Sequence, residues 1–208
     1  EGLRRRGIRP EAVRKFILSL GLTKNDTNSP FATLEAFNKK IVDPECVRLH
    51  MVSDPKKMKI TNFEAREITL ANHPTKDLGT RTVMVDGILL VSGSDAQQMK
   101  VGENVRLLGL GIVKITGLTD EIDAELVDDS VNVEKKIQWV AGSDALQIKA
   151  VIPDLLFIND KFNKDSLQTR EVITESAYSN LKDDSEIQFV RLGYYRKESS
   201  HQAIFTHK

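Results

Sequence analysis

The hydrophobic period of this sequence changes once, near Cys46, and that change limits the folds open to it more than any other feature. Before it, apolar residues recur at helical spacing: Val13, Phe16, Ile17 and Leu20 make one stripe, and Phe31, Leu34, Phe37 and Ile41 a second. Pro10 suits the first turn of a helix and Gly21 its stop, while Ser29-Pro30 opens the second helix and Asp43-Pro44 closes it. After Cys46 the apolar runs become short and β-rich: residues 47–52, 81–85, 88–91, 105–108, 112–115 and 137–140. Many short strands with polar turns predict one or two closed antiparallel barrels, because closure removes exposed sheet edges. Asp86-Gly87, between Thr82-Val83-Met84-Val85 and Ile88-Leu89-Leu90-Val91, predicts a two-residue hairpin of type I′, which needs positive φ at both positions. Residues 159–185 are polar and weakly periodic, and are read as an excursion with little regular structure. The expected fold is therefore mainly β with a small α part.

At 208 residues and 40% hydrophobic content, the chain can bury the core of one large or two small domains. No run approaches the ~20 consecutive apolar residues that span a bilayer, and residues 1–6 lack the apolar stretch of a signal peptide, so a soluble cytoplasmic protein without membrane partners is expected. The lone Cys46 excludes an intramolecular disulfide and a cysteine-cluster metal site, and His50, His73, His201 and His207 show no ligand spacing. No metal site is expected. Because residue 1 is Glu rather than Met, the chain is read as a piece of a longer protein.

Thirty basic and thirty acidic residues cancel, yet they are not mixed evenly. Residues 1–20 carry Arg4, Arg5, Arg6, Arg9, Arg14 and Lys15 against Glu1 and Glu11, whereas residues 119–134 carry seven acidic residues and no Lys or Arg. A polyanion would approach the first stretch and avoid the second. Nothing here forms a phosphate-cradling glycine loop, a nucleophile elbow or a paired-acid constellation, so no catalytic residue is assigned. Lys57-Met58-Lys59 is an incomplete echo of a nucleotide-binding signature within a strand-like run, and is read as structural. From the residues alone, an RNA-binding module and a protein-interaction module both remain open.

Leu3-Arg4-Arg5-Arg6-Gly7-Ile8, with a helix ending in Leu20-Gly21-Leu22-Thr23-Lys24-Asn25-Asp26, resembles the glutaminyl-tRNA synthetases and the archaeal and eukaryotic glutamyl-tRNA synthetases. Asn72-His73-Pro74, Gly79-Thr80-Arg81, Gly102-Glu103-Asn104-Val105-Arg106-Leu107, Ile137-Gln138-Trp139-Val140 and the closing run 187–195 continue the resemblance in order across the chain. The resemblance implies a helical connector (residues 1–45) followed by an anticodon-binding region (residues 46–208) of two β-barrels, roughly 46–86 plus 155–208 in one and 87–154 in the other. The catalytic domain, which would bind ATP and Mg, would precede Glu1. By itself the chain would be inactive and hold no cofactor.

The same resemblance assigns Arg48, Gln188 and Arg191 to one pocket for the middle anticodon base, Arg106 to the first base and Gln98 to the third. Thr23, Lys24 and Asn25 would touch the tRNA stem. Arg donors and a Gln amide together satisfy the carbonyls and N–H of a uracil. At the third position, the amide of Gln98 suits the amino donor and carbonyl acceptor of the C that ends glutamate anticodons. This implies tRNA(Glu) as partner, with tRNA(Gln) a second substrate of a relaxed enzyme and the catalytic domain of the same protein a further partner. The matching region of a glutaminyl-tRNA synthetase and a barrel without tRNA binding remain alternatives. Trp139 is expected in a barrel core, at least one of Tyr194 and Tyr195 is expected to be buried, and His73 is read as a turn residue.

Overall fold

The computed structural model describes residues 1–21, 30–131 and 133–208. The proposed stem-contact residues Thr23, Lys24 and Asn25 lie outside the described residues. The helices are α1 (Gly2–Arg5), α2 (Pro10–Leu20), α3 (Phe31–Val42) and α4 (Gly93–Ala96). The first strands are β1 (Val47–Leu49), β2 (Met51–Ser53), β3 (Lys56–Ile60), β4 (Arg66–Ala71), β5 (Thr80–Val85) and β6 (Ile88–Val91). Then follow β7 (Asn104–Leu107), β8 (Gly111–Leu118), β9 (Ile122–Val127), β10 (Lys136–Ile137), β11 (Val140–Ala141) and β12 (Ala145–Pro153). The last are β13 (Phe157–Ile158), β14 (Lys161–Phe162), β15 (Leu167–Glu175), β16 (Glu186–Phe189), β17 (Gly193–Ser199) and β18 (Gln202–His207). The fold is mainly β, with a near-closed barrel, a half-barrel sheet and four α-helices among the described residues.

The chain divides into two compact units. One comprises Glu1–Arg48, Lys149–Arg170 and Leu181–Lys208, and the other Leu49–Ile148 and Glu171–Asn180. In the first, α2 packs on α3 and buries Ile8, Ala12 and Leu34, with Val13, Phe16, Phe37 and Ile41 around them. Pro10 occupies the first turn of α2, and Gly21 ends it at φ +69°. Ile17 and Leu18 stay exposed. The buried stripe of α2 is thus narrower than its apolar spacing predicts, because α3 covers only one side. Within this unit β16, β17 and β18 form an antiparallel meander, β1 lies beside β16 in the strand order, and residues 149–151 of β12 pair with β18 in parallel.

The second unit contains the sheet β10-β7-β8-β9-β3-β6-β11. Its first and last strands are joined through Gln138 and Trp139, so the sheet curls until its two edges nearly meet. Inside lie Met58, Leu89, Val105, Leu107, Ile115 and Trp139, at most 1% exposed. Burial of each such side chain contributes about 1.5–3 kcal/mol. The Trp139 indole donates to Leu108 O at 2.9 Å, so its one polar atom is satisfied. Glu175, 2% exposed, is held by paired N–H groups of Arg81 and by His50 N at 2.8 Å.

Four expectations change. First, β5 and β6 do not form a hairpin: β5 pairs with β4, and β6 with β3 and β11. Only Gly87 of the Asp86-Gly87 pair has positive φ (+88°), while the Asp86 carboxylate accepts from Ile88 N at 3.0 Å. A type I′ turn needs positive φ twice, so the strands part at this bend. Both conditions are met instead at Asn159 (φ 49°) and Asp160 (φ 61°), between β13 and β14. Second, residues 159–185 are not irregular, since β15 runs nine residues through them. Third, the pairing is not wholly antiparallel: β3 with β9, β7 with β10, and β12 with β18 are parallel. Fourth, residues 49–86 group with 87–148 rather than with 155–208, because β3 lies between β6 and β9.

Candidate nucleic-acid interface

Arg48 stands on β1 and Gln188 on β16, neighbours in one sheet, and a chain of hydrogen bonds joins them. The Gln188 amide Nε2 donates to the Tyr194 hydroxyl at 3.1 Å, that hydroxyl donates to Asp43 Oδ1, and Arg48 Nη2 donates to the same oxygen at 3.0 Å. Asp43 follows the last residue of α3, and Tyr194 lies on β17, which pairs with β16 in the register Gln188↔Tyr194. Because the hydroxyl gives its only proton to Asp43, it accepts from the amide, which fixes the amide orientation and leaves Oε1 facing away. Gln188 Oε1 and Arg48 Nε are both shielded from water and have no hydrogen-bond partner.

The chemistry around this chain is held in one protonation state. Burial first, then the Asp43 carboxylate, push the Tyr194 phenol up, so it remains a donor. Burial likewise pushes the neighbouring Cys46 thiol up to about 12, and its Sγ lies 3.6 Å from Asp43 O. Cys46 is therefore a packing residue against Val42 and Tyr194, not a nucleophile. Lys39 of α3 places its ammonium 5.6 Å from the centre of the Tyr194 ring. Arg191 stands in the turn that joins β16 to β17, exposed and at φ +66°.

Gln98 and Arg106 both belong to the second unit. Gln98 follows α4 and its side chain is exposed, while Met99 beside it is anchored in the barrel core. Arg106 projects from β7 and its Nη1 lies 3.3 Å from Asp129 Oδ1, a surface pair of the kind that contributes ~0–1 kcal/mol. Lys135 links the two positions. Its Nζ donates to Gln98 O at 2.6 Å and sits 3.2 and 3.3 Å from the Glu103 carboxylate oxygens, and its own carbonyl accepts from Arg106 N at 2.9 Å.

Several sequence features resolve into architecture. Arg5 pairs with Glu198 at 2.6 Å, Arg6 with Glu35 at 2.9 Å, and Arg9 with Glu186. Much of the basic start is thus bound to carboxylates of its own unit. Met58 of Lys57-Met58-Lys59 is fully buried in β3, and Lys57 pairs with Glu121 at 2.8 Å. His73 Nδ1 accepts from Thr75 N and Lys76 N, making a turn. Tyr194 and Tyr195 are both buried. No group of three or more metal-ligating side chains occurs among the described residues. None of their helices is long and apolar enough to cross a membrane.

Sequence reasoning did not reach Asp43, Tyr194, Lys39 or Lys135. Asp43 read as the end of a helix, and Tyr194 as one of two tyrosines of which at least one would be buried. Lys135 offered no signal, because its role rests on a carbonyl and a carboxylate distant in sequence.

Two family models, both described as the anticodon-binding domain of class I tRNA synthetases (E and Q), match residues 46–134 and 136–198. The whole chain is 51% identical, over 210 residues, to the glutamate–tRNA ligase of Nitrosopumilus maritimus (strain SCM1). It is 41% identical, over 208 residues, to that of Cenarchaeum symbiosum (strain A), and 31% identical, over 215 residues, to that of Sulfurisphaera tokodaii. The chain spans 37% of the length of the first two of these relatives and 36% of the third.

Proposed function

Because this chain belongs to the anticodon-binding domains of the class I tRNA synthetases (E and Q), we propose that it binds a tRNA anticodon loop and reads its bases for the catalytic part of a cytoplasmic glutamate–tRNA ligase. The observation that carries this reading is the pair of unmet groups at the two ends of one network, the Arg48 Nε donor and the Gln188 Oε1 acceptor. An unmade bond at a shielded polar atom costs about 1–3 kcal/mol, and a ligand that supplied both partners would recover that cost. A uracil edge offers the complementary set, an N–H for Gln188 and a carbonyl for Arg48. Unstacked bases presenting their edges to side chains are the usual targets of specific RNA recognition.

In this reading Arg191 completes the middle-base pocket from the β16–β17 turn, Arg106 meets the first base, and Gln98 meets the third. Thr23, Lys24 and Asn25 contact the stem. ATP and Mg belong to the catalytic part, and no activation step is assigned to the residues described here. Glutamate is favoured over glutamine because a neutral amide at Gln98 suits C, whereas the O6 and N7 of G suit a bidentate arginine. The relatives reported above are likewise named glutamate–tRNA ligases.

The test replaces Arg48 and Gln188 by Ala, singly and together, and measures binding to stem-loops that differ only at the middle anticodon base. Each single change should remove about 1–3 kcal/mol of preference for U while leaving binding to the other loops nearly unchanged. Equal weakening on every loop would show that these residues do not read the base.

A further inference from the structure

Gln98 sits outside regular secondary structure, two residues past α4, yet a base-reading amide must be held to within a fraction of an ångström. On one side Met99 inserts into the barrel core. On the other, Gln98 N donates to Asp95 O at 3.1 Å, and the Gln98 carbonyl oxygen is held by the Lys135 ammonium at 2.6 Å. The ammonium is itself fixed. Both Glu103 carboxylate oxygens lie within 3.3 Å of it, and Glu103 is set by a turn in which Lys100 N donates to its carboxylate at 3.1 Å and its own N donates to Lys100 O at 3.0 Å. The Lys135 carbonyl then receives Arg106 N, so one residue spans both candidate base-reading positions of this unit.

We propose that Lys135 is a positioning residue that sets third-base discrimination by clamping the Gln98 backbone against Glu103, an inference that rests on the assignment of Gln98 to the third base. The Glu103 carboxylate balances the ammonium charge, so Lys135 acts through geometry and not as a phosphate-seeking cation. Loss of a lysine that binds phosphate weakens binding to all sequences alike and removes about one unit of salt slope, whereas loss of a positioning lysine changes the ratio between sequences and leaves the slope alone.

The experiment uses the 208-residue chain and four RNA stem-loops differing only at the third anticodon base, with dissociation constants measured at two salt concentrations. The variants are Lys135→Met, Lys135→Arg, Glu103→Gln, Gln98→Ala and the Lys135→Met/Gln98→Ala double. Lys135→Met is expected to reduce the preference for C over G on the order of tenfold, matching Gln98→Ala, with no further loss in the double and an unchanged salt slope. Lys135→Arg should restore part of the preference. Glu103→Gln should lower it in the same direction, which supplies the comparison if Lys135→Met does not fold. Uniform weakening with a reduced salt slope would make Lys135 a phosphate contact and overturn the proposal. If Gln98→Ala alters the C-to-G ratio and Lys135→Met does not, the clamp is wrong while the third-base reading stands. If Gln98→Ala leaves the ratio untouched, that reading falls and the clamp falls with it.

Discussion

Two neighbouring backbone positions at the β16–β17 turn show how differently single residues serve this fold. Gly193, at φ +129°, has no room for a side chain, since a Cβ there would lie 2.6 Å from His207 O. Arg191, at φ +66°, carries a long side chain in a conformation that costs a non-glycine residue roughly 1–2 kcal/mol. Such strain concentrates at functional sites. Arg191→Gly should therefore leave urea-unfolding stability within about 1 kcal/mol of the wild type, or above it, while weakening RNA binding. A loss of stability in step with the loss of binding would mean that Arg191 is structural.

At the scale of elements, the helices were legible and several strands were not. Proline, glycine and a 3.6-residue stripe mark α2 and α3 locally. The strand β15 escaped notice because residues 168–171 are exposed and polar, while its inward Glu175 is a charged residue made burial-competent by Arg81. That pairing is not written in any local window. Asp86-Gly87 misled for a related reason: residue type permits a type I′ turn, but β3 competes for β6 through Ile60 N, which donates to Gly87 O at 2.8 Å. Of the candidate site, the residues proposed to read bases were marked by resemblance, and the groups that hold them were not. Asp43, Tyr194 and Lys135 act through partners that only the folded sheet brings near.

The junction of α3 with β18 makes a pH prediction at the same scale. His207, 1% exposed, has its Nε2 3.0 Å from Asn38 Nδ2, which also donates to Gly7 O at 3.1 Å. Neutral His207 accepts at Nε2, whereas the protonated ring would face donor with donor. Burial first, then the charges of Lys39 and Arg6, lower its pKa from 6.5 to about 4, against an opposing bond from its ring to Lys208 O. Between these values the unfolded chain binds the proton and the folded one does not, so stability is full above about pH 6.5 and declines as pH falls toward 4. The decline from this group should be about 2–3 kcal/mol in urea unfolding. His207→Gln keeps an acceptor and should flatten that part of the profile. Superimposable profiles for the two proteins would rule the group out.

At the scale of the whole molecule, a net charge of zero means that no general attraction brings RNA to the chain. Affinity must then come from local contacts, and specificity from base edges. The measurement that tests this most directly is equilibrium binding of the wild-type chain to the anticodon stem-loop of a glutamate tRNA and to the same loop with the middle U changed to C, across a range of salt. Preferential binding of the U loop by on the order of tenfold or more is expected, a preference that persists as salt weakens both complexes together. Equal affinity for the two loops at every salt concentration would contradict it.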